Sequence, residues 1–105
     1  MKIIFIHRWL RPDDGLKARV QTRLAQLASV LRIEVAEVAL ERNQSSSPAY
    51  VARVHLAVPG PDIHLEERDH TIEATVGKLL DRLSRLARDR KRRLLARRRL
   101  EPEPV

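Results

Sequence analysis

The chain has 105 residues, of which 43% are hydrophobic and none is cysteine. That length is typical of one domain with a modest hydrophobic core, and the lack of cysteine excludes disulfides and thiolate chemistry. The formal net charge is +7, and no apolar run approaches the roughly 20 residues of a membrane span. We therefore expect a cytoplasmic protein with a polyanionic partner, nucleic acid rather than a membrane surface.

The N-terminal third predicts a strand followed by an amphipathic helix. Residues 3–6 form a near-continuous β-branched and aromatic run, which predicts a strand over residues 2–8. A proline-containing break follows, and Asp13 or Asp14 can cap the next helix. We predict this helix over residues 14–31, because its apolar residues recur at steps of four, four, three and four. They are Leu16, Val20, Leu24, Leu27 and Leu31.

Three further strands are predicted in the middle of the chain. Residues 33–41 and 50–58 alternate with a period of two, and residues 63–67 form a shorter third strand. Short turns at residues 42–48 and 59–62 separate the strands, which favours an antiparallel meander. The element order is then β-α-β-β-β-α. We expect an α+β fold, a four-stranded sheet with two helices packed on one face.

Residues 69–100 predict a long helix that carries the excess positive charge. It contains 11 lysines and arginines against four acids, whereas the rest of the chain sums to zero. At about 1.5 Å per residue it would be roughly 48 Å long, so its distal half should project from the domain. Residues 101–105 are predicted to be a short disordered tail, which leaves residues 1–100 as a single domain. One face of this helix is predicted to form an apolar stripe that covers the core. It consists of Ile72, Val76, Leu79, Leu80, Leu83 and Leu86.

The sequence contains none of the usual catalytic constellations. Its three glycines form no phosphate-cradling array, and Ser45–Ser47 lies in a predicted turn with no activating base nearby. We therefore expect no enzymatic activity, no small-molecule substrate and no cofactor. His55 and His64 lie on adjacent predicted strands and could face each other. Two imidazoles without a third ligand make a weak metal site, so a cross-strand polar pair is favoured and no metal is expected.

The basic residues of the C-terminal helix are the positive functional signal. Spacings of four, three and seven place four of them along one helix face, and a fifth flanks the row. Guanidinium groups at helical pitch can pair with the phosphates of a nucleic-acid backbone. Phe5 and Tyr50 are predicted to be buried, so base stacking is not expected and binding should depend strongly on salt. The predicted row is Lys78, Arg82, Arg85 and Arg92, and the flanking residue is Arg88.

Three segments, residues 15–27, 54–64 and 79–85, carry a resemblance to a known family. The first reads G-L-K-A-R-V-Q-T-R-L-A-Q-L and is similar to the family pattern A-L-R-x-[YF]-V-x-x-K-[FL]-x-K-L. The third reads L-L-D-R-L-S-R and is similar to [LI]-[IL]-D-[KR]-L-x-[RK]. The second, with V-H-L and G-P-D-I-H, is like the family's third strand, turn and fourth strand. Over residues 2–95 the chain resembles the ribosome hibernation promoting factors and ribosome-associated translation inhibitors.

This resemblance implies the same β-α-β-β-β-α fold and binding to the small ribosomal subunit and its rRNA. The family occupies the channel used by tRNA and mRNA, which inhibits translation or promotes ribosome hibernation. Its basic positions carry over to Lys17 and Arg23 on the first helix, and to Arg82 and Arg85 on the last. Arg19 stands where the family usually has an aromatic residue. Without an appended dimerisation domain, the chain resembles the short form and is expected to be monomeric off the ribosome.

Two other functions stay open on the sequence. A freestanding double-stranded RNA-binding protein would also suit an α+β domain with a basic helix. A protein-partner module could use the same helix to bind an acidic protein. Co-sedimentation with ribosomal particles, binding to naked duplex RNA and ribonuclease-resistant association distinguish the three.

Overall fold

The computed structural model of the protein describes residues 1–100, and side chains as far as Arg97. The predicted tail at residues 101–105 lies outside the described residues. The observed order is β-α-β-β-β-α, which confirms the prediction. The elements are β1 (Lys2–Arg8), α1 (Asp14–Ala28), β2 (Val35–Arg42), β3 (Tyr50–Ala57), β4 (Ile63–Asp69) and α2 (Ile72–Leu100).

The four strands form one mixed sheet in the order β1-β2-β3-β4. β1 pairs in parallel with β2, and α1 makes the crossover between them. β2, β3 and β4 pair antiparallel, which confirms the predicted meander. α2 lies against β3, β4 and α1, and the buried residues of both helices join a single core on one side of the sheet. We call the two helices the helix layer, and the sheet face on the other side the open face.

α1 begins where predicted and ends earlier. The Asp13 carboxylate caps it by accepting a hydrogen bond from the Leu16 amide at 2.7 Å, which satisfies one of the first-turn donors. The helix stops at Ala28 rather than at Leu31, because the Ser29 amide and hydroxyl both donate to the Gln26 carbonyl and the chain turns there. Leu31 still packs into the core beyond the helix, at 7% exposure.

The apolar stripe of α2 is shifted by one residue at its distal end. Residues 72–83 of the predicted stripe pack on the core, but Leu86 is 38% exposed and Ala87 is 3% exposed. The helix turns by about 300° over the three residues from Leu83 to Leu86, which carries Leu86 to the flank of the stripe. Ala87 comes one residue later and stays on it. The prediction that Leu86 belongs to the sealing stripe is therefore wrong.

α2 extends well past the core, as predicted. Ala87 is the last buried side chain along the described part of α2, and residues 91–97 are all exposed. The molecule measures 61 × 25 × 18 Å, so its long axis far exceeds the other two. Over the described residues, neither helix has the length and apolar character that crossing a membrane would require.

Candidate nucleic-acid interface

The predicted basic row lies on the face of α2 that points away from the core. All four residues, Lys78, Arg82, Arg85 and Arg92, are exposed, and the row follows about 21 Å of helix. The apolar residues that seal the core lie on the other side of the same helix. We use the name basic row for these four residues. The cationic groups can therefore be reached by a partner without any change in the packing of the core.

Two residues of the basic row are paired with acids at the end of β4. Lys78 Nζ lies 2.8 Å from an Asp69 carboxylate oxygen, and Arg82 Nη1 lies 3.0 Å from a Glu67 carboxylate oxygen. The hydrogen bond from Lys78 lowers the pKa of Asp69, and the same bond raises the pKa of Lys78. Arg82 also donates to the Glu66 backbone carbonyl at 3.3 Å. A phosphate group must compete with β4 for these two cations.

The other two residues of the row are less restrained. Arg92 Nη2 lies 3.7 Å from an Asp89 carboxylate oxygen, one helical turn away, and its side chain is 79% exposed. Among the described residues, Arg85 has no carboxylate within ion-pair distance. Arg85 is therefore the member of the row whose charge is not offset by an acid of the chain itself.

Two further predicted residues meet between the helices. Arg23 of α1 donates to the Ser84 hydroxyl of α2 at 2.9 Å and lies 3.4 Å from an Asp81 carboxylate oxygen. Arg88 Nε donates to the Ser84 backbone carbonyl at 3.3 Å, so both guanidinium groups converge on the same turn of α2. They line a shallow groove between α1 and α2, which we call the interhelical groove.

Arg19 borders α2 as well, although the predicted set omitted it. A Cβ placed on Gly77 would lie 3.4 Å from Arg19 Nη2, so the Arg19 guanidinium lies against α2 at a residue that has no side chain. Arg19 and Arg23 are four residues apart and therefore share one flank of α1. This four-residue spacing is the sequence feature that could have identified Arg19 as a neighbour of Arg23. The resemblance drew attention instead to the aromatic residue that Arg19 replaces.

Lys17 is separated from the other predicted residues. It lies about 120° around α1 from Arg23, on the flank that faces β1. Its ammonium group is 6.0 Å from the centre of the Phe5 ring. Because β1 is at the opposite edge of the sheet from β4, Lys17 does not extend the surface formed by α2 and the interhelical groove.

The three aromatic residues belong neither to the basic row nor to the lining of the interhelical groove, although Tyr50 is opposite Asp69, the partner of Lys78, in the sheet register. Phe5 and Tyr50 are on β1 and β3 and are half-buried, so they are covered less completely than predicted. Trp9 follows β1, is 81% exposed and has a φ of 63°, in the left-handed region. The basic surface of the helix layer thus offers charged hydrogen-bond donors rather than stacking platforms, which suits phosphate recognition.

The open face of the sheet carries a balanced set of charges. Arg53 lies 2.6 Å from Glu66 and 3.5 Å from Glu41, and Arg68 lies 3.7 Å from Glu66. Acids and bases therefore alternate across the strands and offset one another. The excess positive charge belongs to the helix layer, and above all to α2.

The chain is similar to proteins associated with the ribosome. The sequence profile of the family described as Sigma 54 modulation protein / S30EA ribosomal protein matches residues 3–95. A comparison with curated proteins found no match. The Protein Y N-terminal domain from Thermus thermophilus is 27% identical over 83% of this chain and 96% of that chain, with a TM-score of 0.69. A ribosomal subunit interface protein from Coxiella burnetii shares the fold at 14% identity, over 87% of this chain and 98% of that chain, with a TM-score of 0.70.

Proposed function

Because the chain belongs to the Sigma 54 modulation protein / S30EA ribosomal protein family, we propose that it is a non-enzymatic factor that binds the small ribosomal subunit through the helix layer. By occupying the channel of tRNA and mRNA, it would inhibit translation or promote ribosome hibernation. We propose that it acts in the cytoplasm as a monomer, without a cofactor. The observation that carries the proposal is the exposed basic row, set against an open face with balanced charge.

The basic row and the interhelical groove supply the kind of contacts that rRNA phosphates accept. Guanidinium groups donate two parallel hydrogen bonds to a phosphate, and such bonds are stronger than those between neutral groups. Arg85 is directly available to a phosphate, whereas a phosphate must compete with the Glu67 carboxylate for Arg82. Arg23 and Arg88 are held by Ser84, which fixes where they stand before any partner arrives.

The projecting part of α2 supports binding within a channel rather than on a flat surface. Residues 91–97 are exposed on all sides of the helix, and four of these seven are lysine or arginine. A cationic helix that stands clear of its own domain can be surrounded by phosphates, which adds to its electrostatic attraction to RNA.

The proposal is tested by measuring the binding of small subunits across a salt series. Arg82→Ala with Arg85→Ala should weaken binding and reduce the log–log salt slope by about two units, roughly one per phosphate contact. Arg82→Lys with Arg85→Lys keeps the charge but loses the planar pair of guanidinium donors, so the loss of affinity should be intermediate. The matched control is Arg8→Ala with Arg68→Ala, which removes the same charge from the open face and should leave the slope nearly unchanged.

Each outcome separates the proposal from its rivals. If the helix variant and the control variant behave alike, the helix layer is not the binding surface. Equal affinity for naked duplex RNA and for small subunits would favour a general double-stranded RNA binder. Association that resists ribonuclease would favour a protein partner.

A further inference from the structure

A cluster of donor atoms lies on the open face, at the turn between β3 and β4. His55 and His64 are directly opposite each other in the sheet register, and their rings stack with centroids 4.1 Å apart. This confirms the predicted cross-strand pair. Asp62 lies in the turn between the two strands, and its Oδ2 is 2.8 Å from His55 Nε2. The fold thus adds a third donor, which the spacing of the two histidines did not reveal.

We propose that His55, Asp62 and His64 bind a divalent transition-metal ion of the zinc class. Imidazole nitrogens and a carboxylate oxygen suit borderline ions such as Zn²⁺ and Ni²⁺ better than Mg²⁺, which prefers oxygen donors alone. One donor atom from each residue lies within 4.8 Å of the others. Three protein ligands leave the fourth position of a tetrahedral ion for water.

Small side-chain rotations would close the site. Bonds of about 2.0–2.2 Å to a tetrahedral ion put its donors roughly 3.3–3.6 Å apart. The His55 and Asp62 side chains are 40% and 43% exposed, so both have room to turn without disturbing the core. The strand backbone keeps the histidines opposite each other during this adjustment.

The charges around the cluster favour a cation. Glu37 on β2 is directly opposite His55 in the register, so its side chain emerges on the same face and beside the cluster. The basic row lies on the far side of the sheet. Arg53 shares a depression with Glu37 and both histidines, and its charge is offset by Glu66 at 2.6 Å and Glu41 at 3.5 Å. Arg90 and Arg93 line a second depression next to His64, together with Asp89. Two carboxylates, Asp62 and Glu37, therefore lie at the histidines, and the nearby Arg53 is already paired with other acids.

An ion at this site would also steady the base of the projecting helix. Arg90 of α2 donates to the Pro61 carbonyl, immediately before Asp62. Gly60 in the same turn has a φ of 83°, a conformation that favours glycine. The turn thus links the cluster to the part of α2 that leaves the core. Metal binding would reduce the freedom of this turn and of the Arg90 contact.

The site is tested by titrating the full chain with ZnCl₂ in calorimetry, with Mg²⁺ as the hard-cation comparison. We expect saturable 1:1 binding of Zn²⁺ and a rise in melting temperature with Zn²⁺ concentration, because a ligand that binds only the folded chain stabilises it. His64→Ala and Asp62→Asn should each weaken Zn²⁺ binding at least tenfold. The control variant His70→Ala removes an exposed histidine outside the cluster and should bind as the parent chain does.

A second measurement does not depend on the folding of any variant. In the parent chain, Zn²⁺ should shift the imidazole NMR signals of His55 and His64 and leave those of His7 and His70 in place. Equal shifts at all four histidines would overturn the proposal, since they would show adventitious binding. So would the lack of saturation at millimolar Zn²⁺, or a loss of affinity in His70→Ala equal to that in His64→Ala.

Discussion

Replacing Glu67 by glutamine should strengthen binding to the small subunit. The Glu67 carboxylate lies 3.0 Å from Arg82 Nη1, and the Arg82 side chain is 51% exposed, so this is a surface ion pair. Such pairs contribute about 0.2–1 kcal/mol. If Arg82 must leave Glu67 to reach a phosphate, breaking the ion pair weakens binding by the free energy of that pair. Removing the carboxylate removes this cost. The affinity should then rise about 1.4- to 5-fold at low salt.

The neighbouring residue provides the control. Glu66 precedes Glu67 on β4, so its side chain points to the open face, where it pairs with Arg53 at 2.6 Å. Glu66→Gln changes the net charge by the same amount but removes no acid from Arg82. Subunit binding is measured for both variants by fluorescence anisotropy at two salt concentrations. If the two variants gain affinity equally, the gain comes from net charge alone and Arg82 does not contact phosphate through this exchange.

Three further predictions concern the fold and its charges. Leu83→Ala should lower the free energy of unfolding by about 2–5 kcal/mol in a denaturant titration, because Leu83 is 1% exposed; an unchanged midpoint would mean that it is not buried. Gly77→Ala should raise the melting temperature, since alanine favours helix over glycine by up to about 1 kcal/mol and only the flexible end of the Arg19 side chain must move. A lower melting temperature would mean that the Arg19 guanidinium cannot move aside. The carboxyl of Asp69 should titrate below its ordinary pKa of 3.8 in NMR, and Lys78→Gln should move that midpoint upward. Because this pKa is depressed in the folded state, the pair stabilises the protein at neutral pH and the effect is lost as pH falls through the folded value.

The order of elements could be predicted because it depends on local patterns. Alternation with a period of two marks β3, and the three- and four-residue spacings mark α1 and the first half of α2. The end of α1 could not, since Leu31 continues the helical spacing and is buried although the helix has stopped at Ala28. An apolar residue that packs just beyond a helix gives the same pattern as one within it.

The basic row could be predicted, but the ion pairs that offset the charge of Arg82 and Lys78 could not. Helical spacing alone brings Arg82 and Arg85 to one face, because both belong to the same helix. The Glu67 that pairs with Arg82 belongs to another element, 15 residues earlier in the chain, and comes into contact only when α2 lies on β4. Asp62 was missed for a related reason. Its approach to His55 depends on the path of the β3–β4 turn, which no periodic pattern describes.

The two proposed sites lie on opposite sides of the same sheet, which makes them separable. Ribosome binding is assigned to the basic row and the interhelical groove, and metal binding to the His55–Asp62–His64 cluster on the open face. No residue belongs to both sites, and among the described residues the hydrogen bond that joins α2 to the turn of the cluster is the one that Arg90 donates to the Pro61 carbonyl. Saturating Zn²⁺ should therefore leave intact the defect of the variant that carries Arg82→Ala with Arg85→Ala. Any effect of Zn²⁺ on the affinity of the parent chain should disappear when the Arg90 contact is removed by Arg90→Ala. An effect that survives in Arg90→Ala would mean that the ion acts on the RNA or on another surface of the chain, and not through the turn.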